Sequence, residues 1–190
     1  GGFEPAAFEA ALSAIADQHE VQGLVYGSGF ERDPQLLDIA SRYLSVLGNS
    51  AESVGHAKAV PDFFQLLTAL DIPYPSSVIG MPALADGWLR KRIGGSGGAH
   101  ICRLQAGDAH QAGDYYQREL PGMPVSLLFV ADGKQACMIG YNRQEVSAWK
   151  DLPFRYGGLV THAVLPESCK QVLQTAAQKL TAALQLRGLN

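Results

Sequence analysis

The chain has 190 residues, 47% hydrophobic and 17% charged, with a formal net charge of −3. That length suits one or two small domains with a substantial core. The charge and a pI near 5.9 give no basic field for nucleic acid, and no apolar run reaches the length of a membrane span.

Residues 5–18 carry Ala7, Phe8, Ala11, Leu12 and Ile15 at helical spacing, with Pro5 suited to the first turn. Val21 to Tyr26 reads as a short strand ending in Gly27-Ser28-Gly29; a helix follows from Pro34 through Leu44, then a short strand at 45–47. This β-loop-α order suggests part of a Rossmann-like layer. Ser50 to about Leu70 is helical in two pieces. Ser50 is the expected N-cap, with Ser53 where a capping box has Glu. Pro61 lies in the first turn of the second piece, and Phe63, Phe64, Leu66, Leu67 and Leu70 form its buried face. Pro73 and Pro75 end it, and the main boundary falls between 49 and 76.

Beyond that boundary the chain is mostly β, with strands at 88–91, 115–120, 125–130, 135–141 and 158–165. Asp132-Gly133 predicts a hairpin of type I′, which needs positive φ at both central positions. Pro166 to Leu186 is an amphipathic helix with Val172, Leu173, Ala176, Ala177, Leu180, Ala183 and Leu184 on one side. Cys102, Cys137 and Cys169 are far apart and read as reduced, buried small hydrophobes. Without a signal-peptide pattern, the expected location is cytoplasmic. The initial Gly1-Gly2 reads as a cloning remnant or an internal start.

The chemistry concentrates in WLRKRIGGSGGAHI at 88–101. Lys91 ends an amphipathic strand and is followed by Gly94, Gly95, Ser96, Gly97 and Gly98. Glycines let backbone N–H groups turn toward an anion, and the lysine adds a positive point charge. Nucleotide phosphate is the expected anion. A P-loop needs Lys-Ser/Thr after its last glycine, but Ala99 and His100 follow here. A dinucleotide fingerprint needs a third glycine where His100 stands. His100 closes the loop, either as a phosphate donor or as a plain loop-end histidine. The other histidines, His19, His56, His110 and His162, show no ligand pairing, so no zinc site is expected. The loop also satisfies G-x-S-x-G, the nucleophile elbow of serine hydrolases, with Asp108 or Asp151 and His162 downstream, but that elbow requires a following helix.

Five segments in order resemble the ATP-grasp superfamily: GLVYGSGFE at 23–31, KAVPDFFQLLTALDIPYP at 58–75, the glycine segment at 88–101, QRELPGMPVSLLFVADGKQACMIGYNRQ at 117–144, and PFRYGGLVTHAVLP at 153–166. Within it they resemble ATP-dependent carboxylate–amine ligases and carboligase-like proteins of tetrahydromethanopterin-linked one-carbon pathways. The resemblance implies an α/β (α+β) fold, with a partial Rossmann-like pre-ATP-grasp domain at 1–49 and an ATP-grasp domain at 50–190 built of helical and antiparallel β subdomains. It implies that Lys58 and Lys91 grip phosphates with the loop 94–98, and that Gln117, Arg118, Glu119 and Leu120 form the hinge that meets adenine through backbone groups. Relatives often carry a small residue or proline at the position of Arg92. No ribose ligand stands out near Met123-Pro124. Arg155 is the candidate for a substrate carboxylate or acyl phosphate, with a solvated turn arginine as the alternative.

The implied reaction phosphorylates a small carboxylate with ATP and then lets an amine displace the phosphate. Relatives hold Mg²⁺ on late acid-bearing strands with a pattern like EINPR, which does not occur here. The expectation is therefore a chain truncated at both ends, or degenerate, with magnesium in the intact parent and no ATP turnover by the 190 residues alone. A non-catalytic nucleotide-binding or scaffold protein remains the alternative, and a homodimer is left open.

Overall fold

The computed structural model describes residues 3–18 and 20–190; Gly1, Gly2 and His19 lie outside the described residues. The helices α1 (Pro5–Gln18), α2 (Gln35–Ser41), α3 (Ala51–Lys58) and α4 (Asp62–Ala69) come first. The strands are β1 (Ser77–Val78), β2 (Trp88–Arg92), β3 (Cys102–Arg103), β4 (Asp114–Arg118), β5 (Val125–Asp132), β6 (Ala136–Val146) and β7 (Tyr156–Thr161). Helix α5 (Glu167–Leu184) and strand β8 (Arg187–Leu189) close the chain. Two four-stranded sheets result, in orders β1-β4-β2-β3 and β7-β6-β5-β8, and every pairing between these strands is antiparallel. No helix among the described residues is long and apolar enough to cross a membrane.

The second sheet lays one face on α5. Phe129, Ala131 and Ala136 meet Ala177, Leu184 and Leu186, and Phe63 and Leu66 of α4 close the cluster. A smaller cluster of Phe30, Leu36 and Leu37, with Phe8 and Tyr26, holds the first two helices. Ser50 caps α3 as expected, accepting from Ser53 N at 3.1 Å, and the Ser53 hydroxyl donates to Leu184 O at 2.8 Å. A serine at that position therefore ties α3 to the last turn of α5, which a capping-box glutamate would not do.

Several expectations are corrected. The strand expected at 21–26 contracts to a parallel bridge between Leu24 and Val46. Asp132 does not take a positive φ; Asp132 N donates to Gln135 O, so the central residues are Gly133 and Lys134, and among them only Gly133 is positive, at 94°. That is the type II′ pattern. The Asp132 carboxylate accepts from Gln135 N and then Lys134 N, and these bonds, in that order, hold its pKa below the ordinary value. The cysteines are not buried: Cys137 is exposed and the other two are half-buried. Strand alternation explains Cys137, because Ala136 and Met138 take the α5 side. On α4 only Leu67 is fully buried, while Phe64 stacks on Tyr74. On α5, Val172 and Ala183 face solvent. Strand β7 begins at Tyr156, two residues before the expected start, and α5 ends at Leu184, leaving Leu186 in the core ahead of β8.

Candidate functional site

Lys91 pairs in register with Tyr115 across β2 and β4, and its side chain leans two residues along to Gln117. Lys91 Nζ donates to Gln117 Oε1 at 2.7 Å, and Gln117 Nε2 donates to Ser77 Oγ at 3.0 Å. Three strands thus fix one ammonium. Burial pushes its pKa below the ordinary lysine value. An ammonium has three donors, and this contact uses one.

The glycine loop leaves β2 as two turns, closed by Gly95 N to Arg92 O at 3.1 Å and Ile101 N to Gly98 O at 3.1 Å. Gly94, Gly97 and Gly98 take φ of 74°, 64° and 74°, values that favour glycine. Among the described residues, the N–H groups of Gly94, Ser96, Gly97, Gly98 and Ala99 have no hydrogen-bond partner within the chain. The loop leans on the turn before β7: Tyr156 N donates to Gly97 O at 2.8 Å, and a Cβ on Gly98 would collide with the carbonyl of Phe154. The chain then enters β3 rather than a helix, so no nucleophile elbow is built around Ser96. His162 Nδ1 lies 3.0 Å from its neighbour Thr161 Oγ1.

Lys58, at the end of α3, lines a cleft of about 310 Å³ with Tyr26, Glu31, Phe63 and Leu186. Burial holds the His100 pKa below its ordinary value; the bond to Ser96 O opposes this, and the charges of Lys91 and Lys58 add to the lowering. Both lysines therefore act on one histidine at the end of the loop. That convergence escapes sequence reading, because α3 and β2 are far apart in the chain.

The four hinge residues divide in two. Arg118 N and Glu119 N are already bonded to Ser76 O and Gly87 O, at 2.8 and 3.0 Å. The Arg118 guanidinium lies over the Trp88 ring, 4.6 Å from its centroid, and Glu119 pairs with Arg103 at 2.6 Å. Among the described residues, Glu119 C=O and Leu120 N–H keep no partner, and Leu120 is exposed. Arg155 stands in the turn that touches the glycine loop. Its Nε and Nη2 donate to Ser147 O and Ser147 Oγ, both at 3.0 Å, and among the described residues it has no carboxylate partner. No three His, Cys, Asp or Glu side chains among the described residues are grouped to hold a metal ion.

A family model described as an ATP-grasp domain matches residues 62–190. No curated protein is similar enough to count as a match. Among solved structures, one assigned to the ATP-grasp superfamily from Archaeoglobus fulgidus is 19% identical, with TM-score 0.58, covering 82% of this chain and 46% of that one. Biotin carboxylase from Campylobacter jejuni, in complex with a β,γ-ATP ligand, is 16% identical with TM-score 0.72, covering 95% of this chain and 47% of that one. The L-amino acid ligase of Bacillus licheniformis is 12% identical with TM-score 0.70, covering 97% and 48%. The chain thus spans less than half the length of each of these three proteins.

Proposed function

This chain belongs to the ATP-grasp family, and on that premise we propose that it binds ATP with its phosphates between Lys91, Lys58 and the loop 94–98. The observation that carries the reading is the row of unpartnered loop N–H groups beside a half-buried ammonium. Backbone donors without partners suit an oxygen-rich anion, and a desolvated cation gains more from one than an exposed cation does. Glu119 C=O and Leu120 N–H are the hinge groups left to meet the adenine edge. Arg155, beside the loop's docking point, is assigned to the carboxylate substrate.

The parent activity in this reading is ATP-dependent carboxylate–amine ligation through an acyl phosphate. Its substrates are a small carboxylate and an amine, within one-carbon metabolism in the cytoplasm. The ligase named among the structural neighbours supports that class. The chain's own part is to hold the phosphates, exclude water with the closed loop, and place Arg155 beside the phosphoryl group. The division into a pre-ATP-grasp domain at 1–49 and an ATP-grasp domain at 50–190, and magnesium in the intact parent, belong to the same proposal.

Calorimetric titration of ATP into the chain and into Lys91→Ala tests the phosphate assignment. A charge-assisted bond contributes roughly 1.5–3 kcal/mol, so Lys91→Ala is expected to bind at least about tenfold more weakly. Its melting temperature should change little, because the lost ammonium is a desolvated charge. Equal affinities would remove Lys91 from the site.

A further inference from the structure

His100 is built into the glycine loop rather than hung at its end. Its ring fills the space that a Cβ on Gly95 would need, so residue 95 must be glycine for the ring to sit there. Nδ1 lies 3.3 Å from Ser96 O. A carbonyl only accepts, so this contact assigns the hydrogen to Nδ1 and leaves Nε2 as a bare lone pair in the neutral ring. The charged groups around the ring are mostly cationic. The charges of Lys91 of β2 and Lys58 of α3 both disfavour its protonated form. The groove that His100 also lines holds Arg90, Arg92, Arg103 and Lys150 together with Asp108, Asp114 and Asp151; Arg92 is paired with Asp114 at 3.2 Å and Arg90 with Asp108 at 3.7 Å.

We propose that His100 takes up a proton when a polyphosphate binds, so that Nε2–H becomes a donor to the anion and nucleotide affinity is linked to pH. This rests on the phosphate-binding reading above and adds to it a residue and a coupling. Without ligand, burial and the two lysines outweigh the bond to Ser96 O and hold the ring's pKa below the ordinary histidine value. A bound polyanion reverses the sign of the local field and stabilises the imidazolium. The proton comes from solvent, Nδ1–H keeps its bond to Ser96 O, and no covalent bond changes. Because the complex binds more protons than its parts, affinity falls as pH rises.

ATP is titrated calorimetrically into the chain and into His100→Gln between pH 6 and 8, in buffers of different ionisation enthalpy. Glutamine can still donate to Ser96 O but has no proton to gain. The terminal phosphate of ATP titrates in the same range, so the readout is the difference between the two proteins. The original chain should take up an extra fraction of a proton, and its affinity should fall with pH more steeply, by at most about tenfold per unit for one linked proton. The ring resonances of His100, followed by NMR against pH, should show a higher pKa with ATP than without. That second measurement decides the case if His100→Gln fails to fold. ATP binding with the same proton uptake in both proteins, or a ring pKa unmoved by ATP, overturns the inference and leaves the phosphate site standing. Absence of ATP binding to the original chain overturns both.

Discussion

Gly98→Ala is expected to weaken ATP binding by about thirty-fold or more. Two effects act together at this residue. Its φ of 74° lies where a Cβ is strained, and the added atom would meet the backbone carbonyl of Phe154, which is no flexible tip that can swing aside. Backbone strain at such positions costs about 1–3 kcal/mol, and the collision adds to it. A total near 2 kcal/mol already corresponds to about thirty-fold in affinity. Gly97→Ala is the matched comparison, because its φ is 64° but nothing lies within 4 Å of its added Cβ. It should lose only the strain contribution, roughly 1–2 kcal/mol. Calorimetric titration of ATP into both variants makes the comparison, and equal losses would show that docking on Phe154 has no part in binding.

The other large effect is on stability. Phe129→Ala should cost about 3–5 kcal/mol, which for a chain of this size is a fall in melting temperature of roughly 6–20 °C. Phe129 follows a register shift in β5 and enters the core beside Ala131, Ala136 and Ala177. Ala131, Ala136 and Ala177 cannot reach into the void, and Leu184, Leu186 and Phe63 are held in the same cluster by the segments that carry them, so the site refills only in part. Thermal unfolding measures the loss directly. A drop of only a degree or two would show that Phe129 is not the centre of this core.

The amphipathic helices and the β5–β6 hairpin could be read from the chain because their signals are local. Ser50 before α3, the apolar spacing of α5 and the glycine at 133 each act within a few residues. Strand β8 was hidden, because α5 ends on Gln185 at a φ of 51°, a left-handed cap made without the usual glycine. Nothing local separates Leu186, which enters the core, from the helix before it. The site divides in the same way. Lys91 and its loop are one continuous stretch, so their chemistry is visible in order. The bond from Lys91 to Gln117 depends on strand register, and the contact of Gly98 with Phe154 depends on how two sheets meet. Neither distance is written in the sequence between them. Backbone groups left open at Glu119 and Leu120 have no side-chain signature at all.

Strand β7, at the outer edge of the second sheet, reads Tyr-Gly-Gly-Leu-Val-Thr and contains no charged residue. Leu159 and Val160 are each about half exposed on it, at 48% and 49%. An open edge with apolar side chains and no lysine is a template for a strand from another molecule. Gly158, at a φ of 138°, breaks the regularity of that edge. Self-association should therefore run through the segment after it, growing with protein concentration in light scattering and receding when Val160 is replaced by lysine. Scattering unchanged by Val160→Lys would place the contact elsewhere.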